Sequence, residues 1–177
     1  MQNGKSSYAD NNFRAMENGL VPGSHHNPAT INIVLADDDV DEQQFFKTAI
    51  RELPFITQIN VLSDGVYLLE YLVKSTNDKP DIIFLDIMMP RKDGIECLQE
   101  IKQHEDLKSI PIVMYSNSVG QDYIVKTYEC GAQYFLQKGK YSELTESLRQ
   151  LLAIINQPYK QVSLQEFQFC LHTESLR

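Results

Sequence analysis

A chain of 177 residues, 42% hydrophobic and 23% charged, has the size and composition of one domain with tails and enough apolar residues for a core. A net charge of −8 with no Lys/Arg cluster argues against nucleic-acid binding, and no apolar run is long enough to span a membrane. Three scattered cysteines, Cys97, Cys130 and Cys170, suggest neither a zinc site nor a disulfide framework, and with no secretory leader the expected location is cytoplasmic.

Residues 1–28 are rich in Asn, Gly, Ser and His and read as a flexible tail. Within them, Gly19 to His26 fits either a cloning-derived linker or a natural leader. The domain is expected over residues 29–156. Ile31 to Ala36 reads as a short apolar strand ending on Asp37-Asp38-Asp39. A helix follows with Phe45, Phe46, Ala49, Ile50 and Leu53 on one face, and Asp39 with Glu42 fits a capping box. Ile56 to Leu62 alternates apolar and polar residues, as a strand near a sheet edge does. Ser63-Asp64-Gly65 turns the chain into a helix carrying Leu68, Leu69, Leu72 and Val73.

After Lys79-Pro80, the run Asp81 to Leu85 ends abruptly on Asp86, with Ile87-Met88-Met89-Pro90 behind it. This is how a buried parallel strand delivers a carboxylate to the carboxyl edge of a sheet. A helix with Ile95, Leu98 and Ile101 inward leads to a fourth strand, Ser109 to Tyr115, which runs into Ser116-Asn117-Ser118. A helix through Ile124, Thr127 and Tyr128 stops near Gly131; a fifth strand, Gln133 to Gln137, ends on Lys138-Gly139. The last helix spaces Leu144, Leu148, Leu151, Leu152 and Ile155 along one face. Five strands alternating with five helices require a doubly wound α/β fold with a parallel sheet. The pattern alone leaves the lateral strand order open.

Taken singly, each strand-end residue has a plain reading: an Asp pair caps a helix, a lysine is solvated, a serine turns the chain. Their combination is specific. Asp37, Asp38 and Asp86 on one edge repel each other unless a proton or a cation intervenes, and Mg²⁺ is the economical cation for oxygen ligands. Asp86 is then the nucleophile for a phosphoryl group, with Lys138 as a point charge and Ser116 as a hydroxyl donor.

These residues resemble the receiver domain of two-component response regulators over about residues 31–156: Asp37-Asp38, Asp86 to Pro90 with Asp93-Gly94, Ser116 and Lys138, in that order. The resemblance implies a flavodoxin-like sheet of order 2-1-3-4-5 and a histidine kinase or histidine phosphotransfer protein as donor to Asp86. It implies Mg²⁺ held by Asp38, Asp86 and the Met88 backbone carbonyl, with Asp37 acting through water. Ser116 and Phe135 take the switch positions, and phosphorylation would free space for Phe135 to swing inward. Met88 and Ser118 occupy positions that tune hydrolysis of the acyl phosphate; neither is a strong base, so self-dephosphorylation is expected to be slow. Turnover of an external substrate is not expected.

Three features depart from the family's habit: Gly139 stands where proline, often cis, is usual, Asn117 replaces a small residue, and Met88 and Ser118 take the tuning positions. Residues 157–177 keep Val162, Leu164, Phe167, Phe169 and Leu171, too apolar for simple disorder and too short for an output domain. An added helix or strand covering an apolar patch is the plainest expectation, a subunit exchange or docking arm the others. Output is expected through protein contacts with an unknown downstream partner, or through a homodimer using the fourth helix, fifth strand and fifth helix or the C-terminal arm. The alternatives are a pseudo-receiver that binds without phosphorylation, an aspartyl phosphohydrolase, disfavoured by Met88 in place of an acid, and a flavin carrier, disfavoured by the acidic first loop.

Overall fold

The computed structural model describes residues 30–75, 78–117, 120–154 and 168–169. In chain order these form β1 (Ile31–Ala36), α1 (Val40–Arg51), β2 (Thr57–Leu62), α2 (Gly65–Lys74), β3 (Ile82–Leu85), α3 (Gly94–Gln103), β4 (Ile112–Ser116), α4 (Gln121–Glu129), β5 (Tyr134–Gln137), α5 (Tyr141–Ile154) and β6 (Gln168–Phe169). The sheet runs β2-β1-β3-β4-β5-β6, and every pair is parallel. The flavodoxin-like order 2-1-3-4-5 is present, with one short strand added outside β5.

Side chains in a strand alternate between faces, and here the alternation builds two cores. Val34, Ala36, Ile83, Leu85, Ile112, Met114 and Phe135 face α2, α3 and α4. Ile33, Leu35, Ile82, Phe84, Val113, Tyr115 and Leu136 face α1 and α5. With both faces covered, β1, β3 and β4 are almost wholly buried, while every residue of β2 keeps some exposure at the sheet edge. Each large apolar side chain fully buried in these layers contributes about 1.5–3 kcal/mol.

The helix ends follow local chemistry. Asp39 and Asp64 cap α1 and α2, each accepting two backbone N–H groups. The α1 cap lacks the reciprocal arm expected from Glu42; the two-way capping box is at α3 instead, between Asp93 and Glu96. Gly131, at φ 90°, follows α4, where its N–H donates to the Tyr128 carbonyl and that of Ala132 to Thr127. This Schellman arrangement needs the left-handed residue that glycine supplies.

β4 starts at Ile112 rather than Ser109, because Ile110 N–H bonds locally to Leu107 and the Ile110 carbonyl is taken by Lys102 Nζ. Ile155, expected on the last helix, and the apolar residues of the C-terminal extension lie outside the described residues, Phe169 excepted. There the backbone pairs with β5, as an added strand would. Among the described residues no helix is long and apolar enough to cross a membrane.

Candidate functional site

Strand register brings the site together. Asp37 and Asp38 follow β1, Asp86 follows β3, Ser116 ends β4 and Lys138 follows β5. Backbone bonds carry the ladder beyond the strand ends: Asp86 N–H donates to Ala36 (2.9 Å), Asp37 N–H to Leu62 (3.0 Å) and Lys138 N–H to Ser116 (3.1 Å). The expected convergence is therefore fixed by the main chain.

Asp37, Asp86, Ser116 and Lys138 are buried, and Asp38 is exposed. One oxygen from each of Asp37, Asp38 and Asp86 lies within 4.8 Å of the others. The Lys138 ammonium stands between the two buried carboxylates, 2.8 Å from Asp37 Oδ2 and 3.0 Å from Asp86 Oδ2. Only the Asp86 contact is a directed hydrogen bond; Asp37 Oδ2 has the ion pair but no well-oriented donor. Asp86 Oδ1 accepts the Ile87 N–H at 2.6 Å and the Met88 N–H at 3.4 Å. Asp37 Oδ1 accepts from Asp39 N–H at 3.0 Å.

Burial raises the Asp37 carboxyl above the ordinary aspartate range, and Lys138 opposes the rise without cancelling it. Burial alone would lower Lys138, yet Asp37 and Asp86 together lift it above an ordinary lysine. The site thus holds an ammonium firmly charged between two buried carboxylates.

The loop after Asp86 is tightly held. A Cβ on Gly94 would lie 1.9 Å from the Asp86 carbonyl oxygen, so only glycine lets α3 begin there. Gly94 N–H returns to the Ile87 carbonyl at 2.9 Å. Met88, exposed, stands on this loop. The Lys138–Gly139 bond is trans, as are all peptide bonds of the described residues. Phe135 is fully buried and already points inward, against Ile112 and Met114 among the first core layer. Ser118 lies outside the described residues.

Four residues at this edge drew no functional reading from the sequence. Tyr115 is wholly buried, its hydroxyl has no partner, and Lys138 Nζ lies 5.3 Å from its ring centroid. Asp64, Arg91 and Tyr67 form a cluster across the loop from Asp86, with the Arg91 guanidinium on the Asp64 carboxylate and over the Tyr67 ring. Burial pushes Asp64 up, but Arg91 and the α2 N–H groups outweigh it and hold the carboxyl below its usual range. Ser63-Asp64-Gly65 signals a turn, and nothing in it announces a partner 27 residues away.

Comparison with known proteins agrees with this geometry. Residues 33–149 match the response regulator receiver domain family. Over 118 residues the chain is 30% identical to the response regulator Rcp1 of Synechocystis sp. (strain ATCC 27184 / PCC 6803 / Kazusa), covering 64% of this chain and 80% of that protein. A crystal structure of Rcp1 in its Mn²⁺-bound form superposes with a TM-score of 0.65 at 25% identity, covering 75% of this chain and 99% of that one. The phosphorylated cyanobacterial phytochrome response regulator RcpA gives a TM-score of 0.68 at 26% identity, covering 76% and 100%. Fold, sequence and the acidic edge lead to the same place: this chain belongs to the response regulator receiver domain family, whose members work as signalling switches of the phosphorylation type.

Proposed function

We propose that Asp86 accepts a phosphoryl group from a histidine kinase or a histidine phosphotransfer protein, and that the chain signals this event through protein contacts. The observation that carries the reading is the Lys138 ammonium held at 2.8 Å and 3.0 Å between Asp37 and Asp86. A buried cation beside a buried carboxylate at a sheet edge is equipped to receive an anion.

A divalent cation fits the donor set, because three carboxylates offer hard oxygens and one buried oxygen, Asp37 Oδ2, lacks a directed donor. Asp38, Asp86 and the Met88 carbonyl would hold Mg²⁺, with Asp37 acting through water. When bound, the ion offsets negative charge on the incoming phosphoryl group. That Rcp1 was crystallised with Mn²⁺ supports the choice of a divalent ion.

The chain's own groups do the rest. An Asp86 oxygen forms the new O–P bond as the donor's N–P bond breaks, and the electron pair returns to the histidine nitrogen. The Ile87 and Met88 N–H groups orient the carboxylate before transfer. Lys138 moves its charge from the carboxylates to the phosphoryl oxygens, and the Ser116 hydroxyl donates to another of them. Phe135 and Ser116 pass the change to the face formed by α4, β5 and α5, the surface for a downstream protein or a second copy. No nucleic-acid partner is needed.

Incubation with acetyl phosphate and Mg²⁺ is expected to label the protein stoichiometrically, with labelling lost in Asp86→Asn or on chelation. Wild-type protein that stays unlabelled would make it a phosphorylation-independent binding module. Because Met88 and Ser118 supply no general base, the phospho-protein is expected to decay slowly; a half-life of seconds would refute that part.

A further inference from the structure

The segment between Asp86 and α3 has neither helix nor strand, yet it is fastened at both ends. At its start, the Ile87 and Met88 N–H groups donate to Asp86, and the Ile87 carbonyl accepts from Gly94. At its far end stands Arg91, whose φ of 64° is the one positive value among the described non-glycine residues. A left-handed arginine is unfavourable by itself, so something must hold it.

The side chain provides the hold. Arg91 Nε donates to Asp64 Oδ2 at 3.0 Å and Nη2 donates to the same oxygen. The guanidinium carbon lies 4.2 Å from the Tyr67 ring centroid, within cation–π range. Asp64 is well placed to bear this load. Its side chain is 7% exposed, and its other oxygen caps α2 by accepting from Val66 (2.8 Å) and Tyr67 (3.0 Å). The next residue, Gly65, fits the loop closely: a Cβ there would lie 2.5 Å from the Lys92 carbonyl oxygen and 2.4 Å from Cys97 Sγ. The α2 N-terminus is thus a fixed base, and the loop is clamped to it. Met88, Met89 and Pro90 span the gap between the two fastenings.

We propose that Arg91 is a positioning residue of the phosphorylation site: by clasping Asp64 and Tyr67 it fixes the loop bearing the Met88 carbonyl and so sets the site's affinity for its divalent cation. This rests on the reading of Met88 as a metal ligand. The clasp acts on cation binding and leaves the attack by Asp86 itself unchanged. Loss of such an outer partner weakens metal binding about tenfold or more.

Arg91→Gly separates placement from stability, because glycine accepts the left-handed backbone while deleting the clasp. Asp64→Asn keeps a good helix cap but removes the charge that Arg91 grips. Mn²⁺ binding to full-length protein, followed by electron paramagnetic resonance of the free ion, is expected to weaken about tenfold in both variants. The half-saturating Mg²⁺ for labelling by acetyl phosphate should rise by the same factor, with the rate at saturating Mg²⁺ nearly unchanged. Arg91→Lys, which keeps charge without the fork, should fall between, and the double variant should be no weaker than either single one. Wild-type Mn²⁺ affinity in Arg91→Gly would overturn the proposal and leave the phosphorylation reading standing. Absence of both Mn²⁺ binding and labelling in the wild type, or Mn²⁺ binding unaffected by Asp86→Asn, would instead remove the metal-site reading itself.

Discussion

Tyr115 shows how one side chain can serve the site at a cost to the fold. Its ring lies beneath the Lys138 ammonium, a contact worth about 0.5–2 kcal/mol when desolvated. Its hydroxyl is buried without a partner, and an unsatisfied polar group costs about 1–3 kcal/mol. Tyr115→Phe keeps the ring and removes the orphan, so its urea midpoint should equal or exceed the wild type. Tyr115→Leu should lose about 2 kcal/mol by leaving space beside Phe46 and an ammonium without its aromatic face. Asp37, Asp86 and Lys138 were legible in the sequence because each follows a short apolar strand, and parallel strands put such residues on one edge. The Tyr115–Lys138 contact was not, because it depends on β4 and β5 being in register, with Tyr115 beside Leu136. The role of Asp39 was half legible: any aspartate before a helix can cap it, but the return arm depends on the rotamer Glu42 adopts.

At the scale of elements, close approach matters more than propensity. α3 begins against the backbone of Asp86, and Gly94→Ala would force a methyl onto the Asp86 carbonyl. The variant should lose about 3 kcal/mol in chemical denaturation, because a backbone carbonyl cannot yield as a flexible side chain can. It should also label poorly with acetyl phosphate while still folded at low temperature, since the displaced peptide carries Asp86, the proposed phosphoacceptor. Periodicity carries five strands and five helices, and the apolar run Ile31 to Ala36 coincides with β1 residue for residue. Ser109-Ile110-Pro111 continues the apolar run of β4 in sequence but not the strand, because the carbonyls that Lys102 collects make that stretch a turn. A strand of two residues such as β6 is too short for periodicity to signal.

Across the molecule, stability should depend on pH through groups remote from phosphate chemistry. Burial lowers Lys102 from 10.5 to about 8, so the unfolded chain holds this proton more tightly than the folded one. The resulting stabilisation is complete above 10.5 and is lost as pH falls through about 8. Cys97 has the opposite sign: burial raises its thiol from 9.0 to about 12, so its contribution is intact below 9.0 and fades as pH rises toward 12. Urea unfolding should therefore show stability climbing from pH 8 to 9.0, levelling between 9.0 and 10.5 where the two slopes oppose each other, and falling above 10.5. Lys102→Met should remove the climb and let the decline begin near 9.0.

The short pairing of Gln168–Phe169 also changes the standing of its neighbour. Phe135 sits opposite Met114 on one flank and Gln168 on the other, so β5 lies inside the sheet instead of bounding it. A sliding strand would have to break two ladders at once, each bond of which is costly to leave unmade. Rotation of the phenyl ring about its own side-chain bonds breaks neither. The ring starts from its inward, fully buried position. On the proposed reading of Phe135 as a switch, a message through it would be torsional: the main chain would stay in place, and only the relief of the surface above it would be redrawn.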